Sequence, residues 1–552
     1  MKSRELAVIF LLVLCGMAFA QNESVITGTL LGHDGKPMLK AQMDLLARPD
    51  ARRSLATATV DAQGNFKLRF TQTGMWYLSC TGVNHYQHVI ALWLDQPAQE
   101  KVAVRLKPYE YVADFSEVKI AGDFNNFDFN SAELMARQSD GTFGFETEFD
   151  AAAFSYQLLG VEKTGRTING TQSDDFVYDN GGDYLSLVNV ENKKVKVVFN
   201  PAMLKPGQPG DEATVQFGNP QSFSARFYTV MQVQEKRRSQ YSNVYQSYRA
   251  AHEGEAEDFK YDWKPALATL SHSIAHEKDA KLRQVLLVNY LEIGGMGAEA
   301  SMGKKLVQQA VAEVPPTSPL WSSAPWILPR SSQWSGDRKG HENYLNQVLA
   351  QHPDRNLRAG ILSWRLSEAD AKGDTTKAQN IYNRLQTEFG DTQEAQFAKM
   401  MYDPNRAVKK GGKLPAFALA AMDQAGVMYN NDSMKGKIYL LDFWAVWCGP
   451  CIGEMPALHS SYEKFKGKNF EILSLSFDPK PEDVARFREK KWQMPWRHAF
   501  VERGFNSELA RSFEVMGIPK PVLVDGNTNT ILATENDLRG KKLEQTLARV
   551  LR

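Results

Sequence analysis

A chain of 552 residues exceeds what one hydrophobic core can organise, and about three to five domains are expected. Its 65 basic and 64 acidic residues leave a net charge of +1, so the overall balance carries no signature of a nucleic-acid or acidic-surface partner. With 43% hydrophobic and 23% charged residues, the composition is that of folded globular protein, which excludes a disordered or fibrous chain.

At the start, Lys2 and Arg4 precede an apolar run from Ala7 to Cys15, and Gly16-Met17-Ala18-Phe19-Ala20 leads into Gln21. A basic start, a short apolar core and an Ala-x-Ala end predict a secretory signal peptide over residues 1–20, cleaved after Ala20. A membrane anchor is the competing reading, but the run falls short of the ~20 residues a spanning helix needs. Bulky Leu14 stands where a lipoprotein site at Cys15 would want a small residue. The expected location is extracytoplasmic, in a periplasm. Of the four cysteines, Cys80, Cys448 and Cys451 remain after cleavage. An exported chain with one close pair and one odd thiol has no structural disulfide framework, so the pair reads as reactive. Cys80, behind the strand-like run Trp76-Tyr77-Leu78-Ser79, reads as a buried core thiol.

Residues 21–107 carry short strand-like runs, such as Val25 to Leu30 and Ala56 to Val60, separated by turns at Asp34-Gly35-Lys36-Pro37 and Asp61-Ala62-Gln63-Gly64-Asn65. That spacing predicts a β-sandwich. Through GKPMLKAQ and DAQGNF the segment resembles carboxypeptidase-regulatory-like, transthyretin-type domains, which implies a structural or adhesive role.

Residues 108–218 are again β-rich. Val118 to Phe127, ending in Gly122-Asp123-Phe124-Asn125-Asn126-Phe127, resembles the early-set immunoglobulin-like sandwich related to glycogen-binding modules. In that family a tryptophan commonly follows the Asn pair and stacks on sugar. Phe127 offers less surface and no N–H, so a spacer or docking sandwich is favoured over glycan binding.

Residues 219–405 turn helical. Arg358 to Ala371, a break at Gly373-Asp374, and Thr376 to Phe389 form a helical hairpin that resembles a tetratricopeptide-like unit, with no fixed-period repeat elsewhere. The Pro-rich stretch from Val314 to Pro319, with Trp321 and Trp326 nearby, interrupts the helices and reads as interhelical packing. Asp403-Pro404-Asn405 and Lys409 to Pro415 read as a linker into residues 406–552.

In that last segment an apolar strand, Lys437 to Trp444, runs into Ala445-Val446-Trp447-Cys448-Gly449-Pro450-Cys451, and a helix is predicted from there to Phe465. The first thiol then sits at a helix N-terminus, where free backbone N–H groups favour a thiolate, the species that attacks disulfides. A metal site is the competing reading for Cys-x-x-Cys, but no second pair or His cluster supplies further ligands, and no metal is expected. A second strand over Phe470 to Phe477, a helix opened by Pro481, a hairpin around Asp525-Gly526-Asn527 and a closing helix from Lys541 to Leu551 complete a β-α-β, hairpin, helix order.

From Lys413 to Arg552 this order resembles the thioredoxin fold, and FWAVWCGPC, Glu454-Met455-Pro456, Met494-Pro495-Trp496 and Gly517-Ile518-Pro519 resemble its TlpA-like extracytoplasmic branch. The chain is thus expected to be multidomain: two N-terminal β-sandwiches, an α-helical middle and a C-terminal α/β thioredoxin fold. Asp442, the carboxylate in an apolar run, should have a raised pKa. The resemblance makes it the acceptor of the proton from the resolving cysteine, with a satisfied structural Asp as the alternative. Glu454, three residues after Cys451, falls on the same helix face. In relatives that reduce cytochrome-maturation partners, such a glutamate tunes the thiols.

Pro456 should kink the helix. Pro519 matches the family's cis-proline facing the dithiol, leaving the backbone of Ile518 to pair with a substrate strand, while Lys520 and Pro521 replace the small hydroxyl residues often found next. Trp447 reads as a flat apolar platform beside Cys448. His459 and His498 read as surface or packing residues.

Gly449 and Pro450 form the dipeptide of thioredoxin itself, which favours reduction of partner disulfides. The resemblance implies Cys448 as nucleophile, Cys451 as resolving thiol, no cofactor beyond the redox-active Cys448–Cys451 pair, disulfide-containing extracytoplasmic proteins as partners and a membrane-borne thiol reductant as electron source. A disulfide oxidase or isomerase on the same residues is the alternative, as is a glycan-binding or scaffold protein with a regulatory redox domain.

Overall fold

The computed structural model describes residues 23–551 apart from positions 50, 52, 172, 209 and 253–258. The signal-peptide reading, with Cys15 and Ala20, lies outside the described residues. Two compact units divide the chain, residues 1–240 with 262–338, and residues 241–261 with 339–552. The helical region expected as one stretch over 219–405 is thus shared, and the helix Phe223–Ala251 itself crosses from one unit to the other. Among the described residues no helix is long and apolar enough to cross a membrane.

The first unit opens with two four-stranded sheets. One orders Thr214–Phe217, Gln99–Arg105, Ser24–Leu31 and Asn65–Phe70; the other orders Ala56–Thr59, Gln42–Leu46, Gly74–Thr81 and His88–Leu94. Strict alternation in Asn65-Phe66-Lys67-Leu68-Arg69-Phe70 sends Phe66, Leu68 and Phe70 into the core beside Leu45, Leu78 and Cys80. Thr214–Phe217 was expected at the end of the second β region. It returns instead to pair antiparallel with Gln99–Arg105, which satisfies the backbone of what would otherwise be an edge strand. The second β region packs a three-stranded and a five-stranded sheet around Phe143, Phe154 and Phe199. Asn126 and Phe127 both take left-handed backbone conformations in the turn that follows Gly122, leaving Phe127 half-buried while Phe124 packs against Phe145 and Phe154.

In the second unit the helical hairpin forms as Arg355–Ala371 and Thr375–Phe389, each capped by an aspartate, Asp354 and Asp374, that accepts first-turn N–H groups. A further helix, α1 (Gln393–Tyr402), follows. The C-terminal sheet then orders β3 (Arg497–Phe500), β2 (Phe470–Ser476), β1 (Ile438–Trp444), β4 (Lys520–Asp525) and β5 (Thr530–Ala533). Strands β1, β2 and β3 run parallel, while β4 is antiparallel to β1 and joined to β5 by the Asp525 turn. β1 is apolar but for Asp442 and every residue of β2 is buried, as suits central strands covered on both faces.

After β1 the predicted single helix is two: α2 (Gly449–Gly453) and α3 (Met455–Phe465), broken at Glu454. Pro456 has no N–H to give the carbonyl four residues back, and its ring crowds that carbonyl. Helices α4 (Pro481–Lys490), α5 (Glu508–Ser512) and α6 (Lys541–Val550) complete the domain, α6 packing against α3.

Candidate active site

The site lies where the central strand ends. Cys448 has extended backbone and caps α2, and its Sγ accepts the Cys451 N–H at 3.2 Å. Pro450 occupies the first turn, where no N–H is missed. Cys448 and Cys451 are joined as a disulfide, and both are buried. A carboxylate outside the reactive motif holds the preceding turn. Asp478, just past β2, accepts the Val446 N–H with both oxygens (3.0 and 3.2 Å) and a hydrogen bond from Ser476 Oγ at 2.8 Å. Burial raises the pKa of Asp478. The sequence signal was a Ser-x-Asp at a strand end.

Across from α2, the Ile518–Pro519 peptide is cis, and the Ile518 carbonyl oxygen lies 3.6 Å from Cys448 Sγ. Ile518, Pro519 and Cys448 therefore share one face. Two contacts from the segment before α6 hold the Pro519 stretch: Arg539 donates to the Pro519 carbonyl at 2.7 Å, and the half-exposed Glu535 pairs with buried Lys520 at 3.0 Å. Trp447 stands 54% exposed with its ring 6.3 Å from that of Phe505, so the dithiol has an open apolar border on that side.

Asp442 sits inside β1, buried, opposite Ser474 of β2. Ser474 Oγ donates to its carboxylate at 3.1 Å, and Trp496 Nε1 donates to the same Ser474 oxygen at 2.9 Å. Because Trp496 fills an acceptor site on that oxygen, the single hydroxyl proton of Ser474 is directed to Asp442. Desolvation pushes the Asp442 pKa up to about 7; the Ser474 hydrogen bond opposes that rise and the Glu454 charge adds to it. Ser474 was not singled out from sequence and Trp496 only as part of Met494-Pro495-Trp496, since a serine and a tryptophan 22 residues apart give no signal of their hydrogen bond.

Glu454 does not extend a continuous helix face with Cys451, as its spacing had implied. It stands at the α2–α3 break, half-buried, and accepts the Gly540 N–H at 2.7 Å. His498 is fully buried with Nε2 3.1 Å from the Met494 carbonyl, and desolvation with the Arg488 charge lowers its pKa to about 4. His459 packs between the rings of Trp492 and Trp496. Both are packing residues. Among the described residues no three His, Cys, Asp or Glu side chains converge as a metal site requires.

A five-stranded mixed sheet with a Cys-Gly-Pro-Cys disulfide at the end of its central strand, faced by a cis-proline, defines a thioredoxin-fold redox protein. Residues 436–530 match the thioredoxin-like family model. Over 105 residues the chain is 37% identical to tryparedoxin of Trypanosoma brucei brucei, covering 19% of this chain and 71% of that protein. Over 140 residues it is 36% identical to the thiol-disulfide oxidoreductase ResA of Bacillus thuringiensis, covering 25% of this chain and 78% of the relative. The thioredoxin domain of a thiol-disulfide oxidoreductase from Bacteroides vulgatus aligns at 29% identity and a TM-score of 0.24, covering 26% of this chain and 99% of that one. The chain belongs to the thioredoxin-like thiol-disulfide oxidoreductases, and it is an enzyme of that class.

Proposed function

We propose that the protein reduces disulfides of extracytoplasmic polypeptides through Cys448 and Cys451. The observation that carries this reading is the 3.6 Å approach of the Ile518 carbonyl to Cys448 Sγ. It makes Cys448 the sulfur beside the backbone on which an incoming extended strand pairs. In the reduced enzyme the Cys448 thiolate, favoured by the Cys451 N–H, attacks one sulfur of the partner disulfide. A mixed disulfide forms and one partner thiolate leaves. Asp442 takes the proton of the Cys451 thiol, and the resulting thiolate attacks Cys448 Sγ. The second partner thiolate is released and Cys448–Cys451 is left oxidised. The two electrons return from an external thiol reductant, for which a membrane-borne protein is the candidate.

Glu454 and the Gly449-Pro450 turn tune the dithiol, and Trp447, Ile518 and Pro519 border the bound polypeptide. The export features of residues 1–20 support the location, and the Gly-Pro dipeptide supports the reducing direction. The β-sandwiches and helical region are assigned to placement and partner choice.

A full-length Cys451→Ser variant tests the reading. It should accumulate mixed disulfides with exported polypeptides through Cys448, and a Cys448→Ser variant should accumulate none. Adducts mapped to Cys80, or a Cys448 that resists alkylation near neutral pH in the reduced protein, would overturn it.

A further inference from the structure

A groove of about 420 Å³ opens between α1 and the segment 505–516, entirely within the second unit. One wall comes from the segment 505–516, through Phe505, Val515 and Met516. The other comes from α1, through Gln396, Lys399 and Met400. Helix α1 precedes the thioredoxin-like domain, so the groove is a feature this chain adds to its fold.

Three observations bear on what fills it. The apolar residues at its mouth are exposed where a monomer would normally cover them: Met516 is 75% and Phe505 39% exposed. The groove is continuous with the reaction face, since the Phe505 ring lies 6.3 Å from Trp447 and Met516 stands two residues before Ile518, the residue against Cys448. Its walls are fixed in advance. Val408 is buried in the thioredoxin-like core, Glu514 accepts the Ala407 N–H at 3.1 Å, Gly411 N donates to the Ile531 carbonyl at 2.8 Å, and Arg406 donates to the carbonyls of Met401 and Val408. These contacts engage Arg406 and Glu514; Lys399, Asp403 and Arg511 also border the groove, whose surface is nevertheless mainly apolar through Met400, Phe505, Ala510, Val515 and Met516.

We propose that this groove receives a bulky apolar side chain of the polypeptide whose disulfide Cys448 attacks, so that α1 selects among partners. The proposal rests on the reading that polypeptide disulfides are the substrate. A substrate chain must already cross Trp447 and Ile518 to reach the sulfur. At about 3.3 Å per extended residue, a side chain about two to four positions from the attacked cysteine falls at the groove. The continuity of the groove with the dithiol favours the polypeptide under attack over a second copy of this protein as its occupant.

The test uses the reduced full-length protein and disulfide-bonded peptides that are all-serine except for one phenylalanine at each of those positions, against the all-serine parent. Wild type should reduce at least one phenylalanine peptide with a kcat/KM roughly tenfold or more above the parent, as burial of one aromatic side chain supports. In Met400→Glu and in Met516→Glu that ratio should fall to near unity. The ratio is read within each variant, so any loss common to both peptides cancels. Met516 is also exposed enough for the second variant to fold.

An equal rate for all peptides in wild type, or a preference unchanged in both variants, overturns the groove while leaving the reductase reading in place. Reduction of no peptide removes that reading and the groove with it. A concentration-dependent dimer that Met400→Glu dissolves would assign the groove to a second copy, against the proposal.

Discussion

Glu454 Oε2 accepts the Gly540 N–H at 2.7 Å, tying the break in the dithiol helix to the start of the last helix, 86 residues later. The same carboxylate adds to the upward pressure on the Asp442 pKa. Glu454→Gln keeps an acceptor for Gly540 and removes the charge. The pH midpoint of mixed-disulfide resolution should therefore move to lower pH, as stopped-flow release of a labelled peptide would record. Glu454→Ala should show the same shift and also lose about 1–3 kcal/mol of stability from the unmade charge-assisted bond. A midpoint identical to wild type in both variants would remove Glu454 from the tuning of the site.

Ser474 is the hydrogen-bond donor that restrains Asp442, and Trp496 fixes which way its proton points. In Ser474→Ala the ionised carboxylate loses its stabilising partner, so the Asp442 pKa should rise and resolution should need higher pH. The buried Trp496 N–H is left unpaired, at a cost of about 1–3 kcal/mol. The opposite movements of the pH midpoint in Ser474→Ala and Glu454→Gln are the discriminating result, since general loosening of the fold would shift both the same way.

Asp442 also links stability to pH. Its carboxyl is held near pH 7 in the folded protein against ~3.9 when unfolded. Between those values the folded state holds the extra proton, so the contribution of Asp442 to stability falls as pH rises from about 4 to about 7, while buried His498, held near 4, contributes in the opposite direction over most of that window. A shift of this size corresponds to at most about 4 kcal/mol. Asp442→Asn should remove the falling contribution, leaving the rise that His498 supplies, and raise neutral-pH stability, read as the denaturant midpoint of the transition that responds to dithiol oxidation. A difference between wild type and Asp442→Asn that does not change with pH over the window would mean that Asp442 is not held protonated.

The legible parts of this site were those whose signal is local. Lys437 to Trp444 reads as an apolar strand because its apolar run is nearly continuous, and Asp442 stands out because that run holds a carboxylate. The dithiol is carried by four adjacent residues. What stayed hidden depends on contacts across the fold. Ser474 reaches Asp442 through the parallel register of β1 and β2, and Gly540 and Arg539 reach Glu454 and Pro519 only once α6 has docked. Pro456 was legible as a kink, yet the break falls at Glu454, two residues earlier, which also changed what Glu454 faces. Thr214–Phe217 illustrates the same limit in the sandwiches. Its composition says strand, while its partner was settled by an edge at Gln99–Arg105 over a hundred residues before it.

Cys80 gives the sharpest contrast between a structural and a reactive thiol in one chain. It lies in the strand Gly74–Thr81, fully buried, opposite Met43 on the neighbouring strand and among Leu45, Leu78 and Leu92 in the first sandwich core. Desolvation, with a smaller contribution from the Asp44 charge, pushes its pKa far above the usual thiol range, so at neutral pH almost no thiolate forms and no reagent reaches it. Cys448 has the Cys451 N–H at 3.2 Å to favour its thiolate on reduction, and its neighbour Trp447 is exposed. Iodoacetamide at pH 7 should therefore label reduced native protein at Cys448 at least about a hundredfold faster than at Cys80, with Cys80 modified only after denaturant is added. Peptide mapping of time-quenched samples reads both rates together. Comparable labelling of Cys80 in the native protein would show that the first sandwich opens readily, and its core would then not be the closed one described above.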